Sequence, residues 1–225
     1  KKAIIENKQN AVITEVKAAS PSRGTITKSF DPKEVAASMK RGGATGISVL
    51  TEPKHFNGSL SYLAQVRETV ELPVLMKDII IDTVQLEAAS IIGANVVLLI
   101  EALFERGYSK HSLEEMIAEA HERDLEVLLE THNEDEFRSA IETDSDLVGI
   151  NNRDLRTLKV DIGVTERILE KVDSQGKVVV SESGMMAPED IRFLQGCGAQ
   201  AFLIGSAIMM AGNIEKKVKE FVTAQ

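Results

Sequence analysis

Strand-length apolar runs alternate eight times with amphipathic segments along the chain, with no linker and no shift in composition. This predicts an α/β fold: a (β/α)8 TIM barrel, residues 1–225 as a single domain with a short N-terminal extension. Two further observations support it. Hydrophobic residues make up 43% of the chain but aromatics only 4%, with no Trp, so the core rests on Ile, Leu, Val and Ala, as parallel strands covered on both faces prefer. The first strand is followed by Ala18-Ala19-Ser20-Pro21-Ser22-Arg23-Gly24, not by the GxGxxG turn that would favour an open doubly wound sheet.

The strands are expected at 11–17, 45–50, 73–77, 96–100, 125–130, 147–150, 177–182 and 200–204. The helices are expected at 31–41, 59–69, 82–92, 109–123, 133–142, 161–172, 188–195 and 213–224. Asp31-Pro32 offers an N-cap followed by proline at the first helical position, and Ala187-Pro188-Glu189-Asp190 places proline and acids in a first turn. Gly42-Gly43, Gly93 and Gly196 sit where a helix C-terminus needs a left-handed residue. The pairs Gly43-Ala44, Gly93-Ala94 and Gly198-Ala199 precede strands two, four and eight; quarter-barrel repetition or small residues at helix-to-strand turns would both produce them.

Bulk properties exclude several classes. A formal net charge of −9 argues against non-specific nucleic-acid binding, which needs a basic face, and an anionic ligand would need a local positive pocket. No apolar stretch reaches the length of a membrane span, and KKAIIENKQN lacks the apolar core of a signal peptide. The single Cys197 has no internal disulfide partner, so a reducing cytoplasm is the expected home. His55, His111, His121 and His132 lack ligand spacing, so no metal is expected; Glu114-Glu115 and Glu134-Asp135-Glu136 read as solvated helix faces.

Four of the apolar runs end in a charge. Glu15 and Lys17 share one face of the first strand, Lys77 ends LPVLMK, Glu130 ends LEVLLE, and Glu182 closes KVVVSE. Desolvating a charge without a partner costs several kcal/mol, on the order of the whole value of a large buried side chain. Repeated at one end of successive strands, such charges point to a ring of catalytic groups. Lys77 suits a general acid, a phosphate or carboxylate clamp, or a Schiff-base amine. Glu130, desolvated, is expected to have a raised pKa suited to proton transfer, or to partner a lysine; both can hold together. Asn151 could bond a substrate hydroxyl and Arg153 an anion, although Asn151-Asn152-Arg153-Asp154 is equally good turn chemistry. Ser183-Gly184 and Gly205-Ser206 end strands seven and eight, where barrels often bind phosphate, and Ser20 could add a hydroxyl from strand one.

The segments EVKAASPSRG, SVLTEPKHFNGSLSYL, PVLMKDIIID, GANVVLLI, LEVLLETH, GINNRDL, VSESGM and FLIGSAIM together resemble the indole-3-glycerol-phosphate synthase family, in the family's order, from about residue 11 to 210. The resemblance implies ring closure, decarboxylation and dehydration of 1-(2-carboxyphenylamino)-1-deoxyribulose 5-phosphate, in tryptophan biosynthesis, with no cofactor and no metal. It carries Glu15, Lys17, Lys77, Glu130, Asn151, Glu182 and Ser183 into the active site. Phe56 is implied to line the anthranilate side, Arg153 to support the substrate, and Ser20, Gly184, Gly205 and Ser206 to bind phosphate. Lys77 is implied as the acid of ring closure, with Glu130 and Lys17 sharing dehydration. The implied partner is a small phosphorylated molecule; from charge and hydropathy neither nucleic acid nor membrane is expected, and a monomer is the expected state. Ile79 stands where the family usually has Phe, and ten residues precede the first strand where it usually has a longer extension; both imply a weaker grip on substrate. The alternatives are a lysine Schiff-base aldolase-type barrel and a non-catalytic barrel that binds a phosphate ligand.

Overall fold

A computed structural model describes residues 1–20, 24–25 and 30–224, all but the side chains of Ser20 and Thr25. Its strands β1 (Ala11–Val16), β2 (Gly46–Leu50), β3 (Val74–Lys77), β4 (Val96–Ile100), β5 (Glu126–Thr131), β6 (Leu147–Asn151), β7 (Val178–Glu182) and β8 (Ala201–Ile204) are parallel and close into a barrel, with β1 beside both β2 and β8. The principal helices are α1 (Pro32–Arg41), α2 (Leu60–Thr69), α3 (Thr83–Ile92), α4 (Leu113–His121), α5 (Glu134–Ile141), α6 (Gly163–Leu169), α7 (Pro188–Gly196) and α8 (Ile214–Val222). The (β/α)8 expectation therefore holds.

The capping signals act as read at two starts. The Asp31 carboxylate accepts the Lys33 N–H at 2.9 Å, and Asp190 accepts the N–H groups of Met186 and Ala187. Other boundaries move. Helix α4 starts at 113, not 109, because Ser112 and Glu115 form a reciprocal capping box that fixes its first turn. The segment 161–172 is helical only over Gly163–Leu169, and β1 stops one residue before Lys17. Gly196 is not a left-handed cap: it ends α7, and Gly198 takes the positive φ. Gly43, Gly93 and Gly198 all have φ near +100°, and the following Ala44, Ala94 and Ala199 donate back to Met39, Ala89 and Leu194. The recurring Gly-Ala pairs are one helix-ending motif used three times. Short helices at Lys2–Ile5, Glu101–Glu105 and Ser206–Met209 and a two-residue hairpin (Ala19–Ser20 with Gly24–Thr25) had no signal in the periodicity.

The register decides where the site lies. Glu15 lies beside Ser48 and Ser48 beside Leu75, so the strand tilt brings Lys77, two residues further on, to the level of Glu15. The same climb of two residues recurs from β3 to β5, β5 to β7 and β7 to β1. Inward side chains therefore stack in layers of four from alternate strands. From the lower end these are Gly46, Val96, Leu147 and Ala201; then Ile13, Leu75, Leu128 and Val180; then Ser48, Leu98, Gly149 and Leu203. The next layer is Glu15, Lys77, Glu130 and Glu182. Outward residues such as Val12, Val49, Val97 and Val179 join the helices in a larger aliphatic core.

Candidate active site

The charged layer converges on one ammonium. Lys77 Nζ donates to Glu182 Oε2 at 2.6 Å and lies 3.4 Å from Glu130 Oε2 and 3.9 Å from Glu15 Oε2. Lys17 Nζ donates to the other Glu15 oxygen at 2.8 Å. All three carboxylates are buried, Glu182 completely. Missing side chains make room for two of them: a Cβ on Gly149 would fall inside the contact distance of Glu182 Oε1, and one on Gly205 would do the same to Glu15 Oε1.

Three carboxylates around one lysine cannot all ionise freely. Burial disfavours the Lys77 ammonium, but Glu182, Glu130 and Glu15 outweigh it and hold its pKa far above the usual lysine range. Burial also opposes ionisation of Glu15 and Glu130. Lys17 and Lys77 nevertheless hold Glu15 below its ordinary value, and Lys77 and His132 do the same for Glu130. Glu182 goes the other way: burial, reinforced by Glu130, pushes it up to about 7 against the pull of Lys77. Of the two expectations for Glu130, the lysine partner is the one found; the raised pKa is not, because Lys77 and His132 outweigh desolvation.

A cavity of about 650 Å³ opens above this layer. Leu50, Ile100, Asn151 and Gly205, the next inward set, form its lower wall. Phe56, Ile79, Leu103, Leu155, Leu158, Val160 and Met186 are among its apolar lining; Phe56 is the only benzenoid ring among the lining residues, and the wall at Ile79 is aliphatic. Lys17, Ser183, Gly184 and Ser206 add polar groups to the lining. Phe56 sits on a loop organised by Glu52, a buried carboxylate that accepts the N–H groups of Lys54, His55 and Phe56 at 2.9, 2.6 and 3.2 Å. Arg153 lines the cavity with its guanidinium also donating to the Leu158 carbonyl.

The two asparagines divide the alternatives left open by sequence. Asn151 faces the cavity and bonds the Glu130 carboxylate. Asn152 is structural: it donates to Ser181 Oγ and to the Ser183 carbonyl and accepts from Thr165, pinning the end of β6 to the turn after β7. That turn places Ser183 at φ +66°, a left-handed geometry uncommon for serine. Every expected site residue thus lines the cavity or, as Glu182 does, holds its lysine, except Ser20. The Ser20 side chain, with Pro21, Ser22 and Arg23, lies outside the described residues.

A family model described as indole-3-glycerol phosphate synthase matches residues 1–221. The chain belongs to the indole-3-glycerol phosphate synthase family. It is 45% identical over 225 residues to the indole-3-glycerol phosphate synthase of Methanocaldococcus jannaschii, covering 98% of this chain and 82% of that protein. It is 38% identical over 224 residues to the protein of the same name from Desulforamulus reducens, covering 100% and 83%. Among solved structures, a thiamine phosphate pyrophosphorylase from Pyrococcus furiosus superposes with a TM-score of 0.69 at 17% identity, covering 96% of this chain and 95% of that one, which is a likeness of fold alone.

Within this synthase-family barrel, one residue passed over in the sequence joins the site. His132 follows Glu130 on the inward face, its Nε2 3.1 Å from Glu130 Oε1 though poorly aligned for a hydrogen bond. Its backbone N–H and Nδ1 reach Glu136 Oε2 at 2.7 and 3.2 Å. Burial disfavours the imidazolium, but the two carboxylates push its pKa up to about 10, so it is a cation near neutrality. Glu136 is accordingly buried, not part of a solvated face. The alternation Leu128, Glu130, His132 was the available signal.

Glu182 gives a pH test. With a folded pKa of about 7 against an ordinary 4.5, its contribution to stability is complete below about pH 4.5 and is lost as pH rises through 7. Glu182→Gln removes this titration. The stability of the variant relative to the parent should therefore rise between pH 5 and pH 8 by about 3 kcal/mol, the linkage value of that shift. Urea melts at the two pH values measure it; a difference independent of pH would show that Glu182 is ionised throughout.

Proposed function

We propose that this chain is an indole-3-glycerol phosphate synthase, a carboxy-lyase that converts 1-(2-carboxyphenylamino)-1-deoxyribulose 5-phosphate into indole-3-glycerol phosphate, CO2 and water. The observation that carries this reading is Lys77, held charged by Glu15, Glu130 and Glu182 on the floor of a cavity lined by both apolar and polar side chains. Family membership agrees with it.

The arrangement fits the three steps. The ring carbon bearing the carboxylate attacks the ribulose ketone, and Lys77 gives a proton to the oxygen as it becomes an alkoxide. An ammonium with a raised pKa transfers that proton late, when the oxygen has become the stronger base. Loss of CO2 then returns the bonding pair to the ring and restores aromaticity. In the last step the hydroxyl leaves as water while the neighbouring CH2 gives up a proton. Glu130, kept ionised, is suited to receive that proton, and Lys17 to protonate the hydroxyl. Glu15 and Glu182 orient the lysines, and Asn151 holds Glu130.

The substrate's aromatic ring packs in this reading against Phe56 and the aliphatic wall of Ile79 and Ile100, with Arg153 at the rim. Its phosphate lies among Lys17, Gly184, Gly205 and Ser206. Incubation with the carboxyphenylamino substrate should produce the fluorescence of indole-3-glycerol phosphate together with one CO2 per indole. Substrate binding with no turnover would instead identify a non-catalytic phosphate binder. Borohydride trapping of a carbonyl substrate on Lys77 would identify a Schiff-base enzyme.

A further inference from the structure

A second cavity, of about 620 Å³, lies apart from the first, between the short helix Glu101–Glu105 that follows β4 and the start of α5. Glu101, Glu105, Asp135, Glu136 and Ser139 line it, and no lysine or arginine does. Among the described residues, one carboxylate oxygen from each of Glu101, Glu105 and Glu136 lies within 4.8 Å of the other two.

Acidic clusters on surfaces are common and usually mean nothing beyond solubility. This one differs in a single respect. Glu101 is only 8% exposed, and its buried Oε2 has no hydrogen-bond partner. A buried carboxylate oxygen without a donor costs about 1–3 kcal/mol or more, since it has lost its water and gained nothing. Glu101 also faces two other carboxylates. Burial, with Glu136 and Glu105 added to it, raises its pKa. Glu136 brings no relief, because its own charge is matched by His132 and by the Asn133 amide. The nearby Glu134 is likewise taken up by Arg138 and Lys171. The structure thus supplies donors to Glu134 and Glu136 and leaves Glu101, whose side chain also bonds Ser139, with one buried oxygen that has no donor.

We propose that Glu101, Glu105 and Glu136 form a binding site for a hard divalent cation of about the size of calcium. Three carboxylate oxygens match hard cations, whereas thiolate- or imidazole-seeking metals find no soft or nitrogen ligand among the lining residues. Size discriminates further. Calcium binds oxygen at about 2.3–2.6 Å, so one ion can touch three oxygens within 4.8 Å of one another with at most small side-chain shifts. Magnesium, at about 2.0–2.1 Å with a strict octahedron, would require the three to draw together. Glu105 is exposed and on the solvent side, which gives an ion a way in and leaves its remaining positions to water.

The test is calorimetric titration of the full chain with calcium chloride after chelator treatment, beside Glu101→Gln and Glu105→Gln. Glu105 is exposed, so its substitution separates binding from folding. One site per chain is expected, with a Kd of about 0.1–1 mM, the range of sites with few protein ligands. Either substitution should weaken binding at least tenfold, and magnesium should bind at least tenfold more weakly than calcium. About 10 mM calcium should raise the Tm of the parent by about 3 °C and leave the variants unmoved. No heat of binding and no Tm shift in the parent would overturn the proposal and leave Glu101 as a protonated acid. Binding undiminished in either variant would overturn it equally.

Discussion

Lys77→Met is expected to lower kcat by about 10⁴-fold, combining the loss of a general acid with the loss of a charge aimed at the developing alkoxide. KM should move far less, because the rest of the cavity's apolar and polar lining remains. The variant also leaves Glu15, Glu130 and Glu182 facing one another, and breaking a buried charge cluster in this way costs about 3–5 kcal/mol. That penalty should shrink towards pH 5 as the carboxylates take up protons, so the Tm deficit of the variant should be greatest near pH 8. Lys77→Arg separates the two roles: it restores the charge, and hence much of the Tm, but guanidinium does not give up its proton and turnover stays low. Indole fluorescence at a temperature where circular dichroism reports a folded protein is the measurement. A kcat within tenfold of the parent in both variants would remove Lys77 from the chemistry.

Glu130→Gln should lower indole formation by about 10²–10³-fold. The defect should fall at a particular step. Glutamine keeps the size and hydrogen bonding of Glu130 but cannot take a proton, so ring closure and decarboxylation at Lys77 should outlast dehydration. CO2 release would then run ahead of indole fluorescence in a single turnover, and a ring-closed, undehydrated compound would accumulate. Equal slowing of both signals would assign Glu130 to the first step or to support of Lys77 alone. The pKa of Glu182 should fall in this variant, since the acidic neighbour that reinforces its burial is gone.

Legibility differed by level. The barrel could be read from alternation alone because both periods, two for strands and near four for helices, are local. The charged rim could be read for the same reason: Glu15, Lys77, Glu130 and Glu182 each follow an apolar alternation on the inward face. The pairing among them could not. Which carboxylate loses its proton depends on which cation faces it across the barrel, and Glu130 and Glu182 occupy equivalent places in their strands. Lys77 faces both; His132 and Asn151, which face Glu130 and not Glu182, distinguish them. His132 was missed because histidine was read for metal spacing and not for strand register. The start of α4 was missed because Ser112 and Glu115 cap it more strongly than periodicity extends it.

The stacking of inward side chains has a consequence for how such an enzyme can change. Three layers are hydrocarbon or small residues, and the fourth keeps the same geometry with acids and an amine in place of Leu or Val. The reacting groups are therefore interior positions of the barrel, more rigid than loop residues and harder to replace one at a time. Substituting all four together by aliphatic side chains, with Gly149 and Gly205 enlarged to fill the space, describes an inert barrel of equal or greater stability, as neutral replacements of buried ion clusters often are. Selection for stability alone would lead there, and the retained charges mark how far this sequence has been held away from it.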